Sequence, residues 1–438
     1  MVVPRIIVRS STMKFYADFH IHSRYSRATS PEMDLDHIAE WAKYKGLGLV
    51  GTGDFTHPAW FRELKLKLEP RGNGLFHYKG VDFILTAEVS NIFSKNGRTR
   101  KIHNLVFAPS LEAAGEVNRR LRSHASLEVD GRPILPIYAS RLVELVLKAD
   151  PASFVVPAHI WTPHFSLFGS NSGFDAIEEC YEDQTEHIFA LETGLSSDPP
   201  MNWRLSALDR FSLISNSDCH SPAKLGREAN AFDCELDYAA VREALRAKDR
   251  SKFLYTIEFF PEEGKYHYDG HKPCAVRMTP AECKRHKNLC PKCGKKATVG
   301  VLHRVDDLAD RPEDEAPAGA IPCKHLIPLE EIIAAAKDMG TGTQTVLREY
   351  HKLITTFGSE FSILLETPES ELVTATDRRI AEGIMRVRAG RVRVLPGYDG
   401  EYGEIRVFEE PDLKLKDGKG KMQNGKSKGK NKKQMELF

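Results

Sequence analysis

The sequence contains no long apolar run. Its longest stretch without Asp, Glu, Lys or Arg covers residues 151–174, and Pro157 and Pro163 interrupt it, so it is not a membrane span. No secretion signal is expected either, because Pro4 and Arg5 lie within the first apolar residues. We therefore expect a cytoplasmic protein without a membrane partner.

Two common nucleotide-binding motifs are missing as well. The sequence has no G-x-x-x-x-G-K-[ST] loop and no convincing glycine-rich dinucleotide fingerprint, so chemistry driven by a nucleotide or a hydride carrier is not supported. The chain has 438 residues, of which 41% are hydrophobic and 28% are charged. These values predict a globular protein of two or three domains, or one barrel with additions.

The net charge of +1 is unevenly distributed. Residues 414–433 contain nine Lys and one Asp, so this segment carries a charge of +8 and the remainder about −7. Its Gly, Asn and Lys content cannot bury apolar surface and predicts a disordered basic tether. Clustered lysines attract the phosphate backbone of nucleic acid, and a purely solubilising tail is the alternative.

Residues 14–250 alternate between short apolar strands and amphipathic helices. Strands are predicted at 15–19, 47–52, 83–86, 104–107, 154–157, 188–191 and 211–214. In the first helix Asp34 is the predicted N-cap, and Gly46 ends the helix. This alternation predicts an α/β fold with a parallel sheet, either open or closed into a barrel. Residues 328–390 predict several further helices.

Residues with metal-binding side chains stand at the ends of the predicted strands. They are His20, His22, Asp54, Glu88, His159, Glu192, Asp218 and His220. In a barrel of parallel strands the carboxyl ends form one face, so these distant residues converge there. His103 precedes its strand and reaches that face only through a turn. Imidazole and carboxylate suit zinc or manganese, and a two-metal site predicts phosphoester hydrolysis.

Five of the eight cysteines lie between positions 274 and 323. In a chain with no secretion signal, such clustering predicts metal binding before disulfides. The motifs HKPC and CPKCGK share a two-residue gap between ligands, and two such pairs complete a tetrahedral structural zinc site. The four ligands that we favour are His271, Cys274, Cys290 and Cys293. Cys283 is the alternative for the fourth position, and Cys323 with His325 is a further one.

Several motifs before residue 260 resemble the polymerase and histidinol phosphatase (PHP) superfamily. The motifs are FYADFHIHSRYS, GTGDFTH, TAEVSN, KIHNLVF, VVPAHIW, ALETGLSSD and SNSDCHSP. The resemblance implies a distorted (β/α)7 TIM-like barrel that holds two or three divalent ions of Zn, Mn or Mg. It implies that the first ion binds His20, His22, Glu88 and Asp218, and that the second binds Glu88, His103 and His159.

The pattern for a third ion is incomplete. Ala28 stands where one ligand is expected, and Phe55 follows Asp54 where another is expected, so only His220 matches. A third ion therefore requires Asp54 or His57 as a substitute ligand. We expect catalysis to depend on Asp218 above all, together with Glu88 and His22.

Further motifs narrow the resemblance to the endonuclease Q family of PHP repair nucleases. They are KYHYDGHKPC, CPKCGK, GVLHRVDDLADRPE, FGSEFSILLE and PGYDGEYG. The resemblance implies a nucleoid-associated enzyme that cleaves DNA, double- or single-stranded, 5′ to uracil, hypoxanthine, xanthine or an abasic site. Metal-activated water would attack after the base is flipped out of the stack. The rival functions are a PHP-type small-molecule phosphatase and an inactive, clamp-tethered DNA-binding scaffold.

The implied organisation has five parts. The PHP catalytic barrel covers residues 13–260, the zinc-binding module 261–326, the helical DNA-binding domain 327–410, the basic tether 411–433 and the clamp-binding peptide 434–438.

The loop at residues 194–202 follows a strand that ends on the metal face. We predict that it forms the pocket for the flipped base, with Ser196 and Ser197 as its hydrogen-bonding groups. An ordinary connection between a strand and a helix is the alternative.

The final residues QMELF resemble the short peptide with which repair and replication proteins bind a sliding clamp. The matching residues are Gln434, Leu437 and Phe438. An apolar end on a long tether can dock in a clamp groove and raise the effective concentration of the protein on DNA. The bacterial form of the motif is favoured over the archaeal one.

Overall fold

The computed structural model describes residues 14–409, so the predicted tether and clamp-binding peptide lie outside the described residues. The strands are β1 Phe15–Asp18, β2 Leu47–Gly51, β3 Glu69–Pro70, β4 Phe76–Tyr78, β5 Val81–Lys95, β6 Arg98–Ala108, β7 Ile134–Leu135, β8 Phe154–Pro157, β9 Ala190–Glu192, β10 Ser212–Ile214, β11 Ala229–Phe232, β12 Phe253–Glu258, β13 Asp269–His271, β14 Val276–Met278, β15 Cys323–His325, β16 Arg393–Leu395 and β17 Glu404–Arg406. Each strand predicted from the sequence is present.

The helices also follow the sequence pattern. They are α1 Leu35–Lys45, α2 Pro58–Lys67, α3 Leu111–Leu121, α4 Ala139–Ala149, α5 Ile177–Tyr181, α6 Pro199–Trp203, α7 Tyr238–Arg246, α8 Pro280–Arg285, α9 Val301–Leu308, α10 Leu329–Lys337, α11 Gln344–Phe357, α12 Glu369–Ala375 and α13 Arg378–Arg388. The predicted caps of α1 are confirmed: the Asp34 carboxylate accepts two backbone N–H groups, and Gly46 is left-handed at φ 88°. No helix within residues 14–409 is long and apolar enough to cross a membrane.

The main sheet is mixed, which corrects the expectation of a parallel sheet. Strands β1, β2 and β5 are parallel, whereas β6 runs antiparallel to β5 and β8 runs antiparallel to β6. The reversal comes from a two-residue turn between β5 and β6, where Asn96 and Gly97 have φ of 53° and 71°. Asn-Gly is the favoured sequence for such a hairpin turn because both residues tolerate positive φ.

Apolar side chains from eight strands pack together on one side of these strands. They are Ala17, Leu49, Ile84, Phe107, Val156, Ala190, Ile214 and Phe232, all of them buried. In the part of the chain that is described, no backbone ladder joins β8 to β9 or β10 to β11. The observed architecture is therefore mixed α/β, with β9 and β10 as a separate parallel pair.

The end of the range predicted for the zinc module contributes to the main sheet. Strand β15 pairs in parallel with β12, so that Cys323 lies opposite Thr256 and His325 opposite Glu258. The two short strands β13 and β14 form a separate antiparallel pair. The cysteine-rich segment is thereby attached to the α/β part at one end.

A buried ion pair joins α1 to the C-terminal helices. The Lys45 ammonium lies 2.7 Å from Glu360 Oε2, and the two side chains are 2% and 4% exposed. The same carboxylate accepts the Tyr350 hydroxyl at 2.8 Å and the Leu329 backbone N–H at 3.0 Å. Every oxygen of Glu360 is therefore satisfied, as burial of a charge requires.

Candidate metal centre

Glu88 lies at the centre of a group of buried histidines. Its Oε1 is 2.6 Å from His103 Nδ1 and 3.1 Å from His159 Nε2. Its Oε2 is 3.2 Å from His22 Nε2 and 3.5 Å from His20 Nε2. The two oxygens of one carboxylate therefore face two different pairs of imidazoles.

Asp218 completes the first of these groups. Its Oδ1 lies 3.1 Å from His22 Nε2 and 3.5 Å from His20 Nε2. The ligand atoms of His20, His22, Glu88 and Asp218 all lie within 4.8 Å of one another, as do those of Glu88, His103 and His159. The structure thus brings together the six side chains that the resemblance implied for two ions, with Glu88 common to both groups.

The hairpin of β5 and β6 explains the position of His103. His103 lies inside β6 opposite Ser90, and the antiparallel register places it diagonally beside Glu88 on the same face. The prediction that His103 precedes its strand and reaches the site through a turn is therefore wrong. Glu88 likewise lies inside β5 and does not follow it.

Several site residues have a backbone conformation that L-residues rarely adopt. Asp54, His159 and Asp218 have φ of 45°, 33° and 46°. Such conformations cost about 1–3 kcal/mol each and cluster at functional sites, where the surrounding structure holds them. Each of the three follows a strand of the main fold or of the β9–β10 pair, so the strain is concentrated around Glu88.

Two carboxylates contact the Nδ1 atoms of His20 and His22, which follow β1. His20 Nδ1 lies 3.0 Å from both oxygens of Glu192, and His22 Nδ1 lies 3.1 Å from Asp54 Oδ1. Each contact fixes the Nε2 of its ring as the atom that faces Glu88 and Asp218. His20 Nε2 is buried and has no hydrogen-bond partner within the described residues.

Asp54 does not face the centre, which departs from the expectation that it is a metal ligand. Its Oδ2 accepts the Ser23 backbone N–H at 2.6 Å, the Ser23 hydroxyl at 2.7 Å and the Ser26 hydroxyl at 2.9 Å. With Oδ1 on His22, both oxygens are occupied. Asp54 is therefore placed to orient His22.

The two other residues considered for a third ion do not join either central group of candidate ligands. His220 lies beside His22, with ring centroids 4.5 Å apart, but its Nδ1 is 3.8 Å from Asp218 Oδ1. His57 Nε2 donates to the Glu128 carbonyl at 3.3 Å. Neither histidine belongs to a group of three candidate ligands in the described part of the chain.

Electrostatics favour charged carboxylates at the centre. Burial raises the pKa of Glu88, but the contact with His103 and the charge of Arg132 outweigh it and hold the pKa well below its usual value. Burial raises the pKa of Asp218 too, but the neighbouring His20 outweighs burial and holds this pKa well below its usual value. Burial lowers the pKa of His103 to about 4, so this imidazole is neutral at neutral pH.

Arg132 is a member of the site that the sequence does not point to. Its Nη1 lies 3.0 Å from Glu88 Oε2, and its side chain is 22% exposed. It stands in a loop just before β7, more than 40 positions from Glu88, and no local motif surrounds it. The pairing of β7 with β5, a contact between residues distant in sequence, helps to bring the loop to the centre.

The cysteine-rich segment forms a second group of candidate ligands. The ligand atoms of His271, Cys274, Cys290 and Cys293 lie within 4.8 Å of one another, and Cys293 Sγ is 3.6 Å from His271 Nδ1. Of the alternatives, Cys283 is grouped instead with Asp269 and His303. Cys323 lies in β15, opposite Thr256.

The predicted base-pocket serines are not equivalent. Ser197 is buried, and its hydroxyl donates to the Thr193 carbonyl at 2.9 Å and accepts from the Asn202 amide at 3.2 Å. Its hydrogen bonds therefore stabilise the loop itself. Ser196 is half-buried.

The chain is similar to proteins of known structure. It is 34% identical to PfuEndoQ of Pyrococcus furiosus, described as a novel lesion-specific endonuclease, with a TM-score of 0.82 over 92% of this chain and 98% of that one. The chain belongs to the endonuclease Q family. A second endonuclease Q structure, a complex with a 27-mer duplex with an abasic lesion at the active site, is 34% identical with a TM-score of 0.80, over 92% and 99% of the two chains.

The chain is also similar in sequence to two further proteins. The uncharacterised protein YqxK of Bacillus subtilis is 29% identical over 413 residues, which is 90% of this chain and 99% of YqxK. The uncharacterised protein MJ0043 of Methanocaldococcus jannaschii is 33% identical over 267 residues, 58% of this chain and 33% of MJ0043. Residues 328–391, which include α10 to α13, match the MJ0043 C-terminal domain family. The endonuclease Q family and the enzyme class predicted from the sequence are both confirmed.

Proposed function

We propose that the chain is a metal-dependent DNA repair endonuclease that hydrolyses the phosphodiester 5′ to a deaminated base or an abasic site. The observation that carries the proposal is that Glu88 faces His103 and His159 with one oxygen and His20 and His22 with the other. Such a carboxylate suits a pair of divalent cations. Membership of the endonuclease Q family supports DNA as the substrate.

The residues fit two ions as they stand. His20 Nε2 is a buried nitrogen without a hydrogen-bond partner among residues 14–409, and it faces two carboxylates. The first ion would be held by His20, His22, Glu88 and Asp218, and the second by Glu88, His103 and His159. Bound there, the ions would polarise the phosphate and activate a water for in-line attack. The mixed imidazole and carboxylate set favours zinc or manganese over magnesium, which prefers oxygen ligands.

The chain supplies position and charge for this reaction. Glu192 and Asp54 hold the rings of His20 and His22, and Thr162 Oγ1 lies 3.0 Å from His159 Nδ1. The proposal includes two ions rather than three, because both oxygens of Asp54 are occupied by donors. The three residues on which catalysis is expected to depend most all belong to the ligand group of the first ion. They are Asp218, Glu88 and His22.

The proposed scaffold is a distorted (β/α)7 barrel of the PHP type. The buried side chains that eight strands contribute to one cluster support this closure, although β8 and β9 are joined by packing rather than by a ladder.

The proposed structural zinc is held by His271, Cys274, Cys290 and Cys293. Support comes from Cys290, since burial raises its pKa but the backbone N–H groups of Lys292 and Cys293 outweigh this and lower it.

The flipped base is proposed to enter beside the loop at residues 194–202, with Ser196 as the hydrogen-bonding group. The positive φ of Gly194, 64°, and its close approach to the His159 side chain join this loop to the metal centre.

The helices α10 to α13 are proposed to support the duplex. Arg388 is not one of the DNA-binding groups, because it donates to the Leu364 carbonyl at 2.9 Å.

The sliding clamp remains a proposed partner, on the sequence of Gln434, Leu437 and Phe438 alone. We expect a chain shortened by residues 434–438 to nick DNA normally but to lose retention on an immobilised bacterial clamp. Retention by the shortened chain would contradict the proposal.

The experiment that tests the function uses duplexes with one uracil, hypoxanthine or abasic site, incubated with Mn²⁺. We expect a nick immediately 5′ to the lesion, absent from undamaged DNA and from Asp218→Asn. The matched control is Asp183→Asn, which changes an exposed aspartate away from the centre. Hydrolysis of a small phosphomonoester without any nick would support a phosphatase instead. No activity and no metal beyond the zinc of the cysteine group would support an inactive scaffold.

A further inference from the structure

Arg132 brings a cation to the edge of the proposed metal centre. Its guanidinium contacts Glu88 Oε2 at 3.0 Å, and the charges of Glu88 and Asp218 both stabilise its protonated form. A permanent positive charge beside a site for two cations is unfavourable by itself. With two cations bound beside it, the guanidinium would share Glu88 with them, and an anionic ligand at the centre would offset the added positive charge.

The loop that carries Arg132 is fixed by hydrogen bonds from three directions. The Gly131 N–H donates to the Tyr25 carbonyl at 3.1 Å, and the Thr56 hydroxyl donates to the Gly131 carbonyl at 3.0 Å. The Pro133 carbonyl accepts the Ser90 N–H at 3.0 Å. A Cβ at position 131 would collide with Asp54, so the close approach requires glycine. The arginine is therefore held by its own loop and not only by Glu88.

Most of the hydrogen-bonding capacity of Arg132 is unused. A guanidinium has five N–H donors, and the contact with Glu88 Oε2 is its side chain's one hydrogen bond to residues 14–409. The side chain is 22% exposed, so its remaining donors are accessible to a ligand that enters beside Glu88. Arginine donors form short, paired hydrogen bonds with phosphate oxygens.

The net charge of the proposed centre favours a phosphodiester as the anion that binds beside Arg132. Two divalent ions and Arg132 would carry more positive charge than Glu88, Asp218, Asp54 and Glu192 together neutralise. A phosphodiester is negative when it binds and gains further negative charge in the transition state of hydrolysis. Donors fixed in advance at that position stabilise the transition state more than the ground state.

We infer that Arg132 is a catalytic residue that donates hydrogen bonds to a non-bridging oxygen of the scissile phosphate. The inference rests on the proposed function, because it takes its substrate from there. It assigns Arg132 a role in binding and in the reaction rather than in holding the metal ions.

The first test replaces Arg132 by Met, which keeps the length of the side chain and removes its charge. We expect the Arg132→Met enzyme to retain its metal content, measured by mass spectrometry, while its single-turnover nicking rate falls about 10²–10³-fold. Arg132→Lys restores part of the rate. Arg119→Met, at an exposed arginine of α3, serves as the matched control and nicks like the wild type.

The second test measures binding without metal. In EDTA, we compare duplexes that carry a normal phosphate or a methylphosphonate at the scissile position, since the methyl group removes one charged oxygen. We expect this replacement to weaken binding to the wild type and to leave binding to Arg132→Met nearly unchanged. Equal weakening in both proteins, or loss of metal from the variant, would overturn the inference. Failure of the wild type to nick any lesion would count against the proposed function instead.

Discussion

Glu192 accepts a hydrogen bond from His20 at 3.0 Å and, with the same carboxylate, one from the His159 backbone N–H at 2.8 Å. Asn216 donates to its other oxygen at 2.8 Å. One buried carboxylate from β9 thus positions a ligand of each proposed ion without facing either ion. The two candidate ligand groups are therefore linked through Glu192 as well as through Glu88.

Replacement of Glu192 by Gln tests this coupling. Residues that orient metal-bound histidines contribute about 10–100-fold to metal affinity, so we expect a loss of that size with the fold intact. The measurement is competition for Mn²⁺ or Zn²⁺ with a chromophoric chelator. Glu186→Gln, at an exposed glutamate, is the control. Unchanged affinity in Glu192→Gln would show that the ring of His20 needs no such support.

The cysteine group predicts one tightly bound zinc that is independent of the metal centre. We expect Cys293→Ser to lose one equivalent of zinc and to unfold at a lower temperature, since a structural zinc site contributes folding energy. Cys283→Ser should keep the zinc because Cys283 is grouped with Asp269 and His303. Zinc loss in Cys283→Ser but not in Cys293→Ser would reverse the assignment.

The buried pair of Lys45 and Glu360 predicts a large effect on stability. Glu360→Ala leaves the Lys45 ammonium, which is 2% exposed, without a partner, so we expect a loss of about 3–5 kcal/mol in the free energy of unfolding. Urea titration followed by circular dichroism measures it. Glu243→Ala removes the exposed ion pair with Arg246 and is expected to have a much smaller effect. Similar losses in the two variants would contradict the argument.

Glu263 predicts a pH dependence of stability. Burial, with the charge of Glu331, raises the pKa of Glu263 to about 8. In the unfolded chain its pKa is about 4.3, so between these values the folded state binds a proton that the unfolded state has lost. Stability therefore falls as the pH rises through this window.

The corresponding variant is Glu263→Gln, which cannot ionise. We expect its melting temperature to exceed that of the wild type at pH 8.5 and to match it near pH 4. Glu235→Gln, at an exposed glutamate, should change neither. A melting curve of Glu263→Gln that follows the wild type at both pH values would disprove the burial effect.

Local pattern was sufficient for much of the molecule. The caps of α1 at Asp34 and Gly46 follow from side-chain and backbone preferences that act within a few residues. The ligand pairs around His20 and Asp218 stand next to short apolar strands, and a strand is recognisable from its own residues. The spacing of Cys290 and Cys293 likewise predicts a pair of zinc ligands from four consecutive residues.

The hairpin between β5 and β6 is encoded by a local signal. Asn96-Gly97 between two alternating runs predicts a tight turn and hence an antiparallel pair. An antiparallel pair places His103 beside Glu88. The alternation of strands and helices over residues 14–250 predicts parallel strands instead, because it does not include this tight turn.

The arrangement around Glu88 was decided only by tertiary structure. The positions of predicted strand ends indicated most of the candidate ligands, and the family resemblance implied how they group around two ions. Two contacts depend on how separate loops pack at one edge of the sheet. Asp54 contacts His22 Nδ1, and Arg132 contacts Glu88. The energy of such packing comes from contacts between residues distant in sequence, and no local pattern records them.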